Sequence, residues 1–212
     1  MASAMKLHFL LLLAALPAFA TTITYDSSLP RLFQNIEFRV NGNPMNVQAG
    51  QIGVQFDGVI PALLYCADPV TSLLVGPTPV TGVPYNAFTN GGRLAWLYNT
   101  YNATLTQGWQ AAALQLAFWE VVMDNNSGDL NSGQLRVTNN TSSQVTALAG
   151  SMLLGSAGQS SNGVTFWVPN QGPTYSQTLF SASVVPVVAA PEPGNGFLLG
   201  AGLILLAAIR RR

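Results

Sequence analysis

An apolar segment stands at each end of this chain, and each reads as an address rather than as part of a folded core. The first 20 residues are MASAMKLHFLLLLAALPAFA. Lys6 gives a positive start, residues 7–16 an apolar run, and Ala18-Phe19-Ala20 a small-x-small cleavage site. Pro17 before that site and Thr21-Thr22 after it favour a secretory signal over a buried first helix. The other end reads APEPGNGFLLGAGLILLAAIRRR: Pro191-Glu192-Pro193, an apolar run over 197–209, then Arg210, Arg211 and Arg212. That run is shorter than the roughly 20 residues of a comfortable bilayer span, so either residues 194–196 lie at the interface or insertion is transient. The arginines would stay on the cytoplasmic side, with everything upstream outside. The expected division is 1–20 secretory signal, 21–190 extracellular domain and 191–212 tail.

The body is poor in charge. Of the 212 residues 8% are charged against 49% hydrophobic, with 20 Gly and 13 Pro. Between the ends, Arg31, Arg39, Arg93 and Arg136 face Asp26, Glu37, Asp57, Asp68, Glu120, Asp124 and Asp129, an excess of three negative charges. Such a body has no basic patch to neutralise phosphates, and nucleic acid is excluded as a partner. Nor is it a highly charged disordered chain. The only histidine, His8, falls in the signal, and the only cysteine is Cys66. A mature chain without histidine runs no Ser-His-Asp or Cys-His mechanism and builds no His-ligated zinc site. One cysteine allows no internal disulfide. Paired carboxylates at a recognisable spacing, a metal cluster and a phosphate loop are all lacking, so the chain reads as a non-enzyme without cofactor.

Periodicity organises the body. Residues 36–40 and 52–56 alternate like strands, and 62–66 is a short apolar run. Gly42-Asn43-Pro44 and Asp57-Gly58 read as turns. Residues 70–90, rich in Pro, Gly and Thr, read as loop with at most short strands. From Arg93 on, residues 94–101 suit a short helix and 109–123, WQAAALQLAFWEVVM, a longer one, ended by Asn125-Asn126-Ser127-Gly128. A strand over 134–138, a helix over 143–154 and closing strands over 164–168 and 178–185 follow. Strands, then helices, then strands predict an α+β domain, a β-sandwich or barrel carrying a helical section. The sequons at Asn102, Asn125, Asn139 and Asn140 are attributed to chance in a polar sequence.

Two polar residues stand in apolar settings. Cys66 lies in Leu64-Tyr65-Cys66-Ala67-Asp68, and Gln115 is the only polar residue between Ala111 and Trp119. A solitary cysteine is commonly a small buried hydrophobe, and a helical glutamine is commonly solvated. A free thiol on an exported protein is nevertheless exposed to oxidation, which invites a joint explanation. Tyr65-Cys66-Ala67-Asp68 and Leu114-Gln115-Leu116-Ala117-Phe118-Trp119, with Phe56-Asp57-Gly58 and Trp96-Leu97-Tyr98-Asn99 upstream of each, resemble the signature of the thioester domains of bacterial surface adhesins. The resemblance covers about residues 51–124 and continues more weakly toward Val185.

That resemblance implies a thioester-domain-like fold and an internal Cys66–Gln115 cross-link. The Cys66 thiolate attacks the Gln115 side-chain carbonyl and ammonia leaves, helped by effective molarities of roughly 10⁵ M when sulfur and carbonyl are held in contact. Asp68 and Glu120, close in sequence to the two partners, are candidate proton donors or supports. Trp119, one turn after Gln115, and Tyr65, beside the cysteine, are candidate shields against water; Trp119 is equally well a core aromatic. In the adhesins the captured nucleophile is an amine; here an amine or hydroxyl of an unidentified surface molecule or polysaccharide serves. A structural matrix protein without a reactive thioester is the alternative. The Pro191-Glu192-Pro193, short apolar helix and Arg210–Arg212 cluster resemble the PEP-CTERM sorting signal of Gram-negative bacteria that make extracellular polysaccharide. It implies processing by an exosortase and delivery, through transient inner-membrane anchoring, to the cell surface or matrix.

Overall fold

A computed structural model describes residues 21–124, 128–172 and 175–183. The expected signal, the sorting tail and the proposed Asn125-Asn126-Ser127 helix stop lie outside the described residues. Within them the chain is α+β, as its periodicity implies, and the sandwich-or-barrel alternative resolves into a barrel. The strands are β1 (Thr21–Tyr25), β2 (Phe33–Val40), β3 (Asn43–Gly50), β4 (Ile52–Phe56), β5 (Ile60–Cys66), β6 (Thr78–Pro84), β7 (Leu135–Val137), β8 (Val164–Pro169) and β9 (Leu179–Ala182). The helices are α1 (Gly91–Tyr101), α2 (Gly108–Met123) and α3 (Ser143–Gly155). Six strands close an antiparallel barrel in the order β1-β4-β5-β9-β8-β6, and β3-β2-β7 form a separate sheet.

Alternation along the strands gives the barrel two apolar faces. Phe56 on β4 meets Trp167 on β8 with ring centroids 4.7 Å apart. Those strands are not neighbours, so the contact crosses the lumen. The opposite face of β5, β9 and β8 presents Tyr65, Phe180 and Phe166 in one register row. Phe118 of α2 packs on this row, 4.8 Å from Phe180 and 5.2 Å from Tyr65, and Phe88 stacks on Phe166 at 4.1 Å.

The helix α2 is apolar all round, and such a helix must be covered on every side. Residues 111–121 are buried without a break. Phe118 looks to the barrel, while Trp119 packs on Phe38 of β2 at 5.2 Å; α1 and α3 close the remaining sides. Its first turn is held by Gln110, whose Oε1 accepts the backbone N–H of Thr106 at 2.8 Å and of Gln107 at 3.0 Å.

Two strands, β1 and β3, carry no periodic signal, and β6 is longer than the short strands expected in its stretch. β1 follows directly on the expected cleavage site and is short. β6 lies inside the Pro-rich stretch read as loop: the barrel supplies its partners, pairing Val80 with both Thr21 and Pro169. The expected turn at Gly42-Asn43-Pro44 sits one residue earlier. Asn41 (φ 51°) and Gly42 (φ 83°) take the left-handed conformations of a two-residue hairpin turn, and Asn43 and Pro44 already belong to β3, opposite Val40 and Arg39.

Phe180, fully buried and in contact with Tyr65, Tyr98, Phe118 and Phe166, joins barrel to helices. Phe180→Ala should lower the unfolding free energy by about 3–5 kcal/mol, read from denaturant titration. The same truncation at Val59, 74% exposed, should change it by less than about 0.5 kcal/mol.

Candidate functional site

The site lies where β5 runs out of a partner. β4 and β5 pair as far as Ile52 opposite Leu64, a register that would set residue 50 against Cys66. Gly50 does not take that place. With φ at 132° it turns the chain, and it pairs with Phe33 in the other sheet. On the opposite flank, Ala67 N–H donates to Thr178 O at 2.8 Å, with Cys66 beside Leu179. Because antiparallel partners alternate, Cys66 therefore directs its own N–H and C=O away from β9, to the side β4 has left. Both groups are buried and need partners.

Gln115 supplies them. Its Oε1 accepts the Cys66 N–H at 3.0 Å, and its Nε2 donates to the Cys66 carbonyl at 2.7 Å. The primary amide takes the place of a missing peptide in the ladder. Gln115 is 0% and Cys66 2% exposed, so each unmade bond would cost about 1–3 kcal/mol. This explains why the buried stretch of a helix apolar on all sides carries a glutamine at position 115.

The thiol beside this pair is held by backbone. Cys66 Sγ donates to Asp68 O at 2.8 Å and accepts the Asp68 N–H at 3.2 Å. Burial pushes the thiol pKa up to about 12, with the Asp68 charge acting in the same direction and the Asp68 N–H and Trp119 against it. Trp119 thus acts on the sulfur, although its buried Nε1 makes no formed hydrogen bond.

The other residues singled out from sequence take different places. The Asp68 carboxylate accepts the N–H groups of Val70 at 2.9 Å and Thr71 at 3.3 Å and the Thr71 hydroxyl. It builds the turn after β5, and the part of Asp68 that touches sulfur is its backbone. Glu120 is five positions after Gln115, about 140° round the helix. It is buried there in the field of Arg93 of α1, whose guanidinium also donates to Ser156 Oγ at 2.9 Å and Leu153 O at 2.8 Å. Tyr65 points to the other face of β5, among Tyr98, Phe118 and Phe180, and its hydroxyl donates to Asn102 Oδ1 at 3.0 Å. It orders the strand from behind rather than covering the sulfur. The backbone contribution of Asp68 and the partnership of Tyr65 with Asn102 carried no signal in the sequence, since both depend on where loops return.

Among the described residues no group of His, Cys, Asp and Glu is placed to hold a metal ion, and no helix is long and apolar enough to cross a membrane. No protein-family model matches the chain, and no curated protein or solved structure shows significant similarity to it.

The raised thiol pKa fixes a sign. The folded state keeps the proton through the range in which the unfolded chain, near 9.0, releases it. The protein with a free thiol should therefore hold this contribution below about pH 9 and lose it between 9 and 12, by up to about 1.4 kcal/mol per pH unit. Burial also pushes the Tyr65 and Tyr98 hydroxyls up, so alkaline stability is not the thiol's alone, and the measurement is the difference in unfolding free energy between Gln115→Ala, which keeps the thiol free, and Cys66→Ala/Gln115→Ala across that range.

Proposed function

We propose that this is an exported surface or matrix protein with an internal Cys66–Gln115 thioester that covalently captures a nucleophile on a partner. The observation that supports it most is the docking of the Gln115 amide on Cys66, through bonds of 3.0 Å and 2.7 Å, beside the chain's single thiol in a buried site. Holding the reactants together removes most of the entropic part of the barrier. Attack of Sγ on Gln115 Cδ would place charge on Oε1, which already accepts the Cys66 N–H, a preformed donor for the tetrahedral intermediate. The S–Cδ bond forms, Cδ–Nε2 breaks, and Nε2 leaves as ammonia with the thiol's proton. Opening by an amine reverses the path: the amine nitrogen bonds to Cδ, sulfur leaves, and a proton passes from nitrogen to sulfur. Each molecule acts once, as a binder and not as a turnover enzyme. The amine or hydroxyl attacked would belong to an unidentified surface molecule or matrix polysaccharide.

Export would run through the 1–20 signal, and sorting through the Pro191-Glu192-Pro193 tail, transiently held in the inner membrane of a Gram-negative host and processed by an exosortase.

The alternative is a structural matrix protein in which Gln115 remains an amide. The same geometry favours it in one respect: the amide has both its hydrogen bonds, so Gln115 would be kept for the ladder alone. Intact mass separates the two. The freshly purified 21–190 domain should weigh one ammonia less than its sequence, and Cys66→Ala and Gln115→Ala should each abolish that loss. A full mass, with Cys66 alkylated stoichiometrically on denaturation, leaves the structural reading. Incubation with methylamine should then free one thiol and add the amine at Gln115 while the domain stays folded.

For sorting, replacing Pro191, Glu192 and Pro193 by alanine should leave precursor in the inner membrane. Mass spectrometry of the cell-associated protein should find Arg210–Arg212 retained in that variant and absent from wild type.

A further inference from the structure

Trp119 has a buried donor that nothing in the resting structure uses. It is 3% exposed, an indole nitrogen only donates, and this one has no hydrogen-bond partner. The ring is fixed from two sides: by Phe38, 5.2 Å away, and by its place one turn beyond Gln115 on a helix whose Gln115 amide is tied to Cys66. Trp167 Nε1 is likewise buried and unpartnered, but its ring packs on Phe56. Trp119 differs in that its side chain interacts with the Cys66 sulfur and favours the ionised form.

The sulfur needs such a donor only when it is charged. As a thiol it gives its proton to Asp68 O at 2.8 Å and takes the Asp68 N–H at 3.2 Å. As a thiolate it keeps one of these, while the Asp68 carbonyl becomes an unfavourable neighbour. The Asp68 carboxylate is occupied by Val70 and Thr71 and contributes only like charge. Glu120, with Arg93, occupies another side of α2. Buried anions require donors in compensation, and Trp119 carries an unpartnered buried donor that interacts with this sulfur.

We propose that Trp119 is the second hydrogen-bond donor to the Cys66 thiolate, its N–H closing on the sulfur whenever the S–H or S–Cδ bond is broken. This rests on the thioester reading and adds to it a residue that touches the reacting atom. The indole serves the charged sulfur twice, before attack on Gln115 Cδ and again when an incoming amine displaces sulfur. In neither step is the indole itself consumed or deprotonated.

The test uses Trp119→Phe, and in parallel a Trp119 replacement by benzothienylalanine, which keeps the ring shape and deletes only the N–H. Two rates are read on protein that is folded by circular dichroism. The first is ammonia loss after refolding, followed by intact mass; it should fall roughly ten- to a hundredfold in both variants. The second is iodoacetamide alkylation of Cys66 in the Gln115→Ala background, measured from about pH 7 to 10. It should fall by a similar factor at each pH, because less thiolate is present. Loss of a ring that only shields would instead make alkylation faster in Trp119→Phe and leave it unchanged in the isostere, and faster or unchanged rates in the isostere overturn the proposal. Wild-type protein that never loses ammonia would remove the thioester reading, and the alkylation comparison would still decide the role of Trp119 toward the thiolate.

Discussion

A side-chain amide completing the edge of a barrel strand is the interaction on which this architecture turns. β4 must leave β5 two residues early, because the same chain has to cross from the β3-β2-β7 sheet into the barrel at Gly50 and Gln51. The gap exposes two peptide groups of Cys66 to an apolar interior. Gln115 fills it from α2, and so fixes both the rotation and the height of that helix against the barrel. Phe118 and Trp119 then have no freedom of placement: one meets the Tyr65–Phe180 row, the other the Phe38 face of the second sheet. The two sheets are held by one helix whose register is set by a single polar contact.

The same contact gives the site its chemical character. An apolar partner at position 115 could fill the volume but would leave the Cys66 N–H and C=O unsatisfied, at about 1–3 kcal/mol each. Glutamine satisfies both, and in doing so places its carbonyl beside the one thiol of the chain. Structural need and reactive potential thus coincide in one residue. Burial of the thiol opposes ionisation, so the resting side chain is the protonated, weakly nucleophilic form.

Much of the scaffold was legible along the chain. Strands 52–56 and 62–66 and the helices over 94–101, 109–123 and 143–154 follow from alternation and helix-forming composition, and each lies within an observed element. What was not legible is non-local. Residues 78–84 read as loop because Pro79, Gly82 and Pro84 mask any alternation; they form a strand because β1 and β8 flank them. Two polar intrusions in apolar segments marked Cys66 and Gln115, and the resemblance to thioester domains, rather than the pattern itself, paired them. The sequence could not show that Asp68 meets the sulfur through its backbone, that Glu120 turns toward Arg93, or that Tyr65 lies on the far face of its strand. The first depends on a turn, the second on helical phase, the third on which side of β5 the helices cover.

Closure of the barrel also decides where one molecule could join another by strand addition. Six strands have no unpaired margin, so among the described residues open hydrogen-bonding edges belong to the smaller sheet, along β3 and β7. β7 is three residues long, too short to template much. β3 is longer, but it carries a proline at Pro44, which donates nothing, and mostly polar side chains in its exposed positions. Sheet margins blunted in this way oppose fibril-like growth by strand addition, whatever the density at which copies meet.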